Sequence, residues 1–283
     1  MPNTEDFTKL LTNRRTCRSY KADPIPEDVM HRLYNAACSA PSAGGFQRIT
    51  IIEIKEQAKK EALSKLSRGQ GFVARAPVNL VFCVDGRRMR RIAAHEGAPY
   101  SADCPMGALW MGLIDAAVSA QTLVLAAEAE GLASCYNGNV VDRADQVSQL
   151  LCLPEHVLPA FMLTLGYPLS RGRCSKKYPP EVIVNHETYT DMNMGELYAF
   201  HTEKSGRPLY AANPERLSQL REILSRQYDP AFTAAAVECA QEKGSLTAYQ
   251  YWFGCYYPSN EAASMTGPDY LDFLKHKGFD LSK

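Results

Sequence analysis

One stretch of the chain, residues 106–127, is apolar almost without interruption and constrains the fold more than any other segment. It is about as long as a helix that crosses a bilayer, and Pro105 and Gly131 are typical of a helix start and stop. Asp115 lies near its middle, and a carboxylate at the centre of a bilayer costs roughly 2.5–3.5 kcal/mol. We therefore expect no membrane span but a helix covered on both sides, in a large core or at a subunit interface.

The balance of charges excludes a strong electrostatic field over the whole protein. The 283 residues include 31 lysines and arginines and 31 aspartates and glutamates, so the formal net charge is zero. A surface that attracts nucleic acid or an anionic membrane is therefore not expected. Any site for an anion must be local.

The nine cysteines are spread along the chain without a C-x-x-C pair. This spacing fits neither a zinc site, nor an iron–sulfur site, nor a secreted disulfide framework, so we expect reduced thiols and no bound metal. Residues 1–6 are polar and acidic, unlike a signal peptide. Both features predict a cytoplasmic protein.

Apolar periodicity predicts strands and helices that alternate up to about residue 170. The predicted strands are 49–54, 78–84, 160–165 and a short one at 181–184. The predicted helices are one ending at Asn13, one between Pro26 and Pro41, and 56–67, 106–127, 142–153, 214–227, 230–243 and 268–276. The pattern changes after residue 198, which predicts one domain over 1–198 and a helical, aromatic-rich extension over 199–283.

Two short motifs carry little weight by themselves. Residues 69–74 match G-x-G-x-x-A, but they follow a helix and precede a strand, which is the wrong context for a dinucleotide fold. Residues 87–91 read R-R-M-R-R, which is typical of a solvated helix start. The alternative is a clamp for an anionic substrate or a nicotinamide phosphate.

A basic cluster at residues 14–20, R-R-T-C-R-S-Y, follows the first helix. Its three guanidinium groups and two hydroxyl groups are donors suited to phosphate oxygens. About twenty residues later, residues 39–47 form a loop of small residues in which backbone amides can approach a ligand closely. Together they favour an anion-binding site.

With these segments the sequence resembles the FMN-dependent nitroreductase family over about residues 5–190. The family's R-R-S-x-R-x-F is similar to residues 14–20, its A-P-S-A-x-N-x-Q-P-W to 40–48, its G-L-G-x-C-W-x-G to 131–138, and its L-G-Y-P to 165–168. The chain departs from the family at Gly45, Arg48 and Tyr136, where the family has asparagine, proline and tryptophan. Cys135, on the third motif, is interpreted as a packing residue.

The resemblance implies FMN as the cofactor and a set of residues that bind it. Basic and hydroxyl groups near residue 14 would hold the phosphate, the loop near residue 42 would line the ring and ribityl chain, and a late basic residue would join the phosphate. The implied residues are Arg14, Arg15, Thr16, Arg18, Pro41, Ser42, Ala43, Gly45, Gln47, Gln70, Asn137, Gly138, Lys176 and Lys177. Arg171 and Arg173 are alternatives for the late basic residue.

The resemblance also implies the fold, the assembly and the reaction. The fold is expected to be α+β, with a three-layer α/β/α arrangement and a mainly antiparallel mixed sheet flanked by helices. The assembly is expected to be a homodimer with FMN at its interface. NADH or NADPH would deliver hydride to the flavin N5, and a small electron-poor acceptor would then take the same place, so no protein side chain is assigned as catalytic.

Two alternatives remain open. Relatives of this fold include dehydrogenases and dehalogenases, and the fold does not decide among them. The second alternative is a flavin-storing or regulatory module, in which the extension binds a partner through the aromatic run at 249–257. Those aromatic side chains alternatively pack the extension against the core or cover the active site.

Overall fold

A computed structural model describes residues 4–100, 105–172, 174–206, 209–257 and 268–281. The helices are α1 (Thr4–Asn13), α2 (Glu27–Cys38), α3 (Gln57–Leu66), α4 (Gly71–Arg75), α5 (Arg87–Glu96), α6 (Pro105–Ala129), α7 (Ala144–Leu150), α8 (Pro180–Ile183), α9 (Met194–Ser205), α10 (Pro214–Ser225), α11 (Pro230–Glu242), α12 (Ala248–Tyr251) and α13 (Pro268–His276). The strands are β1 (Ile49–Ile54), β2 (Val78–Asp85), β3 (Ala133–Asn137), β4 (Val157–Gly166), β5 (Tyr210–Ala211) and β6 (Ser245–Leu246). Short 3-10 turns cover Ala43–Gly45 and Asn139–Arg143, and a π-helical turn covers Trp252–Tyr256.

The first four strands form one sheet in the order β1-β2-β4-β3, in which all neighbours are antiparallel. An isolated parallel bridge between Thr16 and Ser134 makes the sheet mixed at its β3 edge. Every residue of β2 is buried, because this strand is central and helices cover both faces. The mainly antiparallel mixed sheet expected from the resemblance is confirmed.

Two helical layers enclose the sheet. On one face, α2 and α6 pack against Leu80 and Phe82 of β2. On the other face, α3, α4 and α7 pack against Val81 and Cys83 of the same strand. The side chains of β2 thus alternate between the two layers, as a pleated strand requires, and the expected three-layer α+β fold is confirmed.

The apolar helix α6 is long and apolar enough to cross a membrane, by length and composition alone. Its second half is buried in the core through residues such as Ala120, Leu123 and Val124. The Asp115 carboxylate accepts hydrogen bonds from the backbone N–H groups of Ala43 and Arg48. These contacts explain how the helix tolerates a carboxylate in its middle, and they make it the core helix of this fold.

Backbone contacts divide the chain into two compact units, Met1–Arg173 with Ala263–Lys283, and Cys174–Ala262. The boundary that we predicted at residue 198 lies inside the second unit, and the end of the chain returns to the first. This return is held by Leu274 and Phe279, which share a buried cluster with Val84 and Leu158. The second unit has its own small core, formed by α10, α11 and β6. The functional division into 1–198 and 199–283 stays a prediction.

One predicted strand is wrong. Residues 181–184 lie in and just after the short helix α8, because Pro180 starts the turn and Val184 donates its N–H to the carbonyl of Pro180 at 2.8 Å. β-branched side chains favour a strand only where a neighbouring strand is available.

Candidate functional site

The basic segment, residues 14–20, lies along the β3 edge of the sheet. Cys17 donates its N–H to the carbonyl of Ser134 at 2.9 Å, and Tyr20 forms an antiparallel bridge with Pro168. The Tyr20 hydroxyl lies 2.6 Å from the carbonyl oxygen of Cys17 and 2.7 Å from Oγ1 of Thr164. Burial raises the pKa of Tyr20, so this hydroxyl stays protonated and keeps both contacts. The segment is thus attached to a rigid sheet near its middle and at its end.

Two arginines of this segment are placed to receive an anion. Arg14 and Arg18 lie two residues before and after Thr16, which bridges to Ser134 of β3, and the charges of both arginines oppose the rise in the pKa of the Cys135 thiol. Among the described residues neither arginine has an acidic side chain within ion-pair distance. Arg18 also lies over the ring of Phe72, 5.7 Å from its centroid. Two uncompensated cations and the Thr16 hydroxyl suit a phosphate dianion, so the donor set fits the implied FMN phosphate.

Arg15 bonds to backbone carbonyl groups near the end of α1. Its guanidinium donates to the carbonyl of Thr12 at 3.0 Å and to that of Arg14 at 3.2 Å. These are carbonyl groups at the end of α1, which a cation satisfies well. The prediction that Arg15 binds phosphate therefore competes with a helix-capping role that the structure shows directly.

Gln70, Asn137 and Gly138 are brought together next to the basic segment. Asn137 is buried and donates through Nδ2 to Oε1 of Gln70 at 3.0 Å, while Gln70 donates through Nε2 to Oδ1 of Asn139 at 2.7 Å. Asn139 in turn donates to Asp142, which also accepts from Arg68. The amide groups are therefore fixed in orientation by a network that joins the start of α4 to the end of β3.

Burial raises the pKa of the Cys135 thiol, although the guanidinium groups of Arg18 and Arg14 act in the opposite direction. A buried, protonated thiol is a poor nucleophile, which is consistent with packing as the role of Cys135.

The loop at residues 41–48 is held by two residues outside the predicted site, Asp115 and Arg88. The backbone N–H groups of Ala43 and Arg48 donate to the two carboxylate oxygens of Asp115, at 2.9 and 3.1 Å. Arg88 donates to the carbonyl of Gln47 at 3.1 Å. Asp115 is only 2% exposed, and its position inside an otherwise apolar helix was the one signal in the sequence. Arg88 is one of four arginines in residues 87–91, and the sequence does not distinguish it from the other three.

Inside this loop the backbone takes unusual conformations. Gly44 and Gly45 have φ values of 61° and 70°, and Gln47 has a φ value of 48°. The left-handed region suits glycine, so Gly45 fits the position where the family has asparagine. Gln47 directs its amide Nε2 to the carbonyl of Cys38 at 2.7 Å.

The loop and the basic segment lie at opposite edges of the sheet. The loop leads into β1, whereas the basic segment lies beyond β3, with β2 and β4 between. From β1 to β3 there are three strand spacings of about 4.8 Å, or about 14 Å in total. The predicted site residues of one chain therefore fall into two groups at opposite edges of the sheet, which we call half-sites.

The basic residues at 171–177, which were candidates for a late phosphate ligand, have different surroundings. Arg171 is paired with Glu128, its NH1 lying 2.6 Å from a carboxylate oxygen. Lys176 lies 3.5 Å from Glu203 in the second unit, to which Lys177 also belongs. Arg173 lies outside the described residues. Binding of the phosphate by Lys176 or Lys177 stays a prediction.

Comparison with known proteins connects this geometry to a family. The chain matches the model of the nitroreductase family over residues 11–167. The FMN reductase (NAD(P)H) of Bacillus subtilis is 32% identical over 194 residues, which cover 68% of this chain and 77% of that protein. The oxygen-insensitive NADPH nitroreductase of Salmonella typhimurium is 32% identical over 188 residues, 65% of this chain and 75% of that protein. The solved structure of the NADPH:FMN oxidoreductase of Vibrio harveyi with NAD+ has a TM-score of 0.69 at 23% identity, covering 96% of this chain and 98% of that one.

Proposed function

The chain belongs to the nitroreductase family, and on that premise we propose that it is an FMN-dependent NAD(P)H oxidoreductase. It takes electrons from NADH or NADPH and reduces a small electron-poor acceptor, such as a nitroaromatic compound or a quinone, by a ping-pong mechanism. The bound FMN supplies the electron-transfer chemistry, and the protein supplies binding and orientation.

The observation that carries this proposal is the donor set beside β3. Arg14 and Arg18 offer two cations without an acidic partner among the described residues, and Thr16 adds a hydroxyl. Because hydrogen bonds attach this segment to the sheet, the donors are in place before a ligand arrives. The fixed amides of Gln70 and Asn137 would orient the rest of the cofactor.

We further infer that the working unit is a homodimer with FMN at the interface. The first half of α6 exposes large apolar side chains, including Trp110 at 60% and Ile114 at 44%. A connected apolar face of this kind is typical of a subunit contact. We propose that the two-fold arrangement places the 41–48 loop of one protomer beside the basic segment of its partner, so that four half-sites form two complete sites. The charge balance and the reduced thiols support a cytoplasmic location.

The test begins with the purified, dialysed protein. We expect a visible flavin spectrum, release of FMN on heating with a stoichiometry of one per chain, bleaching by NADH or NADPH without oxygen, and recovery of colour when menadione or nitrofurazone is added. A protein that neither contains nor takes up FMN would overturn the proposal. Tight FMN without reduction by either nicotinamide would instead favour the flavin-storing module.

A further inference from the structure

Two charged side chains from two different helices hold the 41–48 loop in place. Asp115 of α6 accepts the N–H groups of Ala43 and Arg48, at 2.9 and 3.1 Å. Arg88 of α5 donates to the carbonyl groups of Gln47 at 3.1 Å and of Ile49 at 3.0 Å. A carboxylate thus satisfies donors and a guanidinium satisfies acceptors of the same short piece of backbone, and charge strengthens each of these bonds.

The segment between these anchors does not adopt its conformation by preference. Gln47 has a φ value of 48°, which lies in a backbone region that residues other than glycine, asparagine and aspartate rarely adopt. Such a conformation persists only where the surroundings impose it. The Gln47 carbonyl bonds to Arg88, and the next N–H, that of Arg48, bonds to Asp115. The two anchors therefore act on either side of the strained peptide.

Arg88 is itself held in place by a hydroxyl and a carboxylate. Its NH2 group donates to Oγ1 of Thr50 at 3.1 Å and lies 3.5 Å from Oδ2 of Asp85. Asp85 also accepts the N–H groups of Arg87 and Arg88 at the start of α5. Gln47 and Arg88 line a cavity of about 440 Å³ at the end of the loop. Within the R-R-M-R-R run, Arg88 therefore has a defined task.

We propose that Asp115 and Arg88 are positioning residues that hold the 41–48 loop in the shape that contacts the flavin. This inference rests on the proposed function, in which Ser42, Ala43 and Gln47 line the cofactor. Neither residue needs to touch FMN. Each acts through the backbone of the loop, so its loss changes how the flavin is bound while leaving the phosphate donors of the basic segment intact.

Each anchor has a matched control on its own helix. Asp115→Asn keeps the size of the side chain but replaces one acceptor oxygen by a donor that faces a backbone N–H. Ser119→Ala removes a buried hydrogen bond one turn later on α6, from Ser119 Oγ to the carbonyl of Ala37, which does not involve the loop. Arg88→Gln is compared with Arg91→Gln, because Arg91 is an exposed arginine on the same helix.

The readouts are the dissociation constant of FMN, measured by titrating apoprotein, the visible absorption and circular dichroism of the bound flavin, and the separate values of kcat and KM. We expect Asp115→Asn and Arg88→Gln to raise the dissociation constant of FMN by about ten-fold or more and to shift the visible spectrum of the bound flavin. The controls should stay within about two-fold of wild type with an unchanged spectrum. Thermal denaturation of the apoproteins shows whether Asp115→Asn and Ser119→Ala lose comparable stability.

The outcomes separate this inference from the proposed function. If wild type binds FMN and turns over, but both anchor variants match their controls in FMN affinity and spectrum, the positioning role is wrong. If wild type itself binds no FMN, the proposed function fails first. Should Asp115→Asn not fold, Arg88→Gln and Arg88→Lys still decide, because a lysine keeps the charge but cannot reach two carbonyl groups and Thr50 at once.

Discussion

Arginines 14, 15 and 18 lie within five residues of one another, and the structure places them in two different environments. Arg15 bonds to carbonyl groups at the end of α1, whereas Arg14 and Arg18 lie beside β3 without an acidic partner among the described residues. Their spacing explains the difference, because alternate side chains of an extended segment point to opposite sides. A motif of similar residues therefore does not imply one shared function.

Replacing Arg18 by glutamine is expected to weaken the binding of FMN strongly. A hydrogen bond to a charged group contributes about 1.5–3 kcal/mol, which corresponds to roughly a 10- to 150-fold increase in the dissociation constant. Arg15→Gln is the matched control, and its effect on FMN affinity should be under about three-fold while α1 loses some stability. Quenching of flavin fluorescence during titration of apoprotein measures both. Equal losses in the two variants would contradict the division of tasks.

A second prediction at the residue scale concerns pH. Burial and then the nearby charge of Arg90 lower the pKa of His156, and the opposite effect of Glu155 is smaller than either. A folded-state pKa below the unfolded one means that the unfolded chain binds the proton more tightly. The neutral ring therefore contributes stability above about pH 6.5, and this contribution is lost as the pH falls below that value.

His156→Asn tests this linkage, because asparagine tolerates the φ value of 65° at this position. The free energy of unfolding in urea is measured between pH 7.5 and 5.5 for both proteins. Wild type should lose stability relative to the variant as the pH falls. His186→Asn, at an exposed position, is the control, and its free energy of unfolding should change with pH as that of wild type does. Parallel curves for wild type and His156→Asn would refute the assignment.

At the scale of elements, most helices and strands could be predicted because their signals are local. The β-branched run at 49–54 and the proline that starts α10 act within a few residues. The partner of each element could not be predicted in the same way. Nothing near Asp115 indicates that it binds a loop about seventy residues earlier, and nothing in 268–276 indicates that this helix joins the first unit. The strand predicted at 181–184 failed for the related reason that strands need neighbours.

The return of α13 to the first unit predicts a specific stability effect. Leu274 is buried against Val84 and Leu158, whereas Leu271 on the same helix is 57% exposed. Leu274→Ala should lower the free energy of unfolding by about 2–5 kcal/mol, because it removes packing and leaves a cavity. Leu271→Ala should change it by less than about 0.5 kcal/mol. Chemical denaturation followed by far-UV circular dichroism compares the two, and similar values would mean that α13 is not part of this core.

For the whole molecule, the main question is why one chain carries two half-sites. The resemblance implied a dimer, but the sequence alone did not show that the loop and the basic segment would lie at opposite sheet edges, because sheet order depends on contacts between distant segments. With that order known, the exposed face of α6 has a function beyond burial. In the proposed homodimer, this face would bring two copies together so that each completes the site of the other.

Trp110→Glu places a charge in the centre of this apolar face and tests the assembly directly. A central aromatic residue contributes about 2 kcal/mol or more to an interface, so the dimer dissociation constant should rise at least about 30-fold. Leu271→Glu, at a similarly exposed apolar position, is the control and should remain dimeric.

Sedimentation velocity over a range of concentrations gives the dimer fraction, and absorbance gives FMN per chain in the same samples. In the proposed dimer each site combines the loop of one protomer with the basic segment of the other, so FMN content should fall together with the dimer fraction. A monomeric variant that still binds FMN with wild-type affinity would show that one chain suffices, and the two half-sites would then need another explanation.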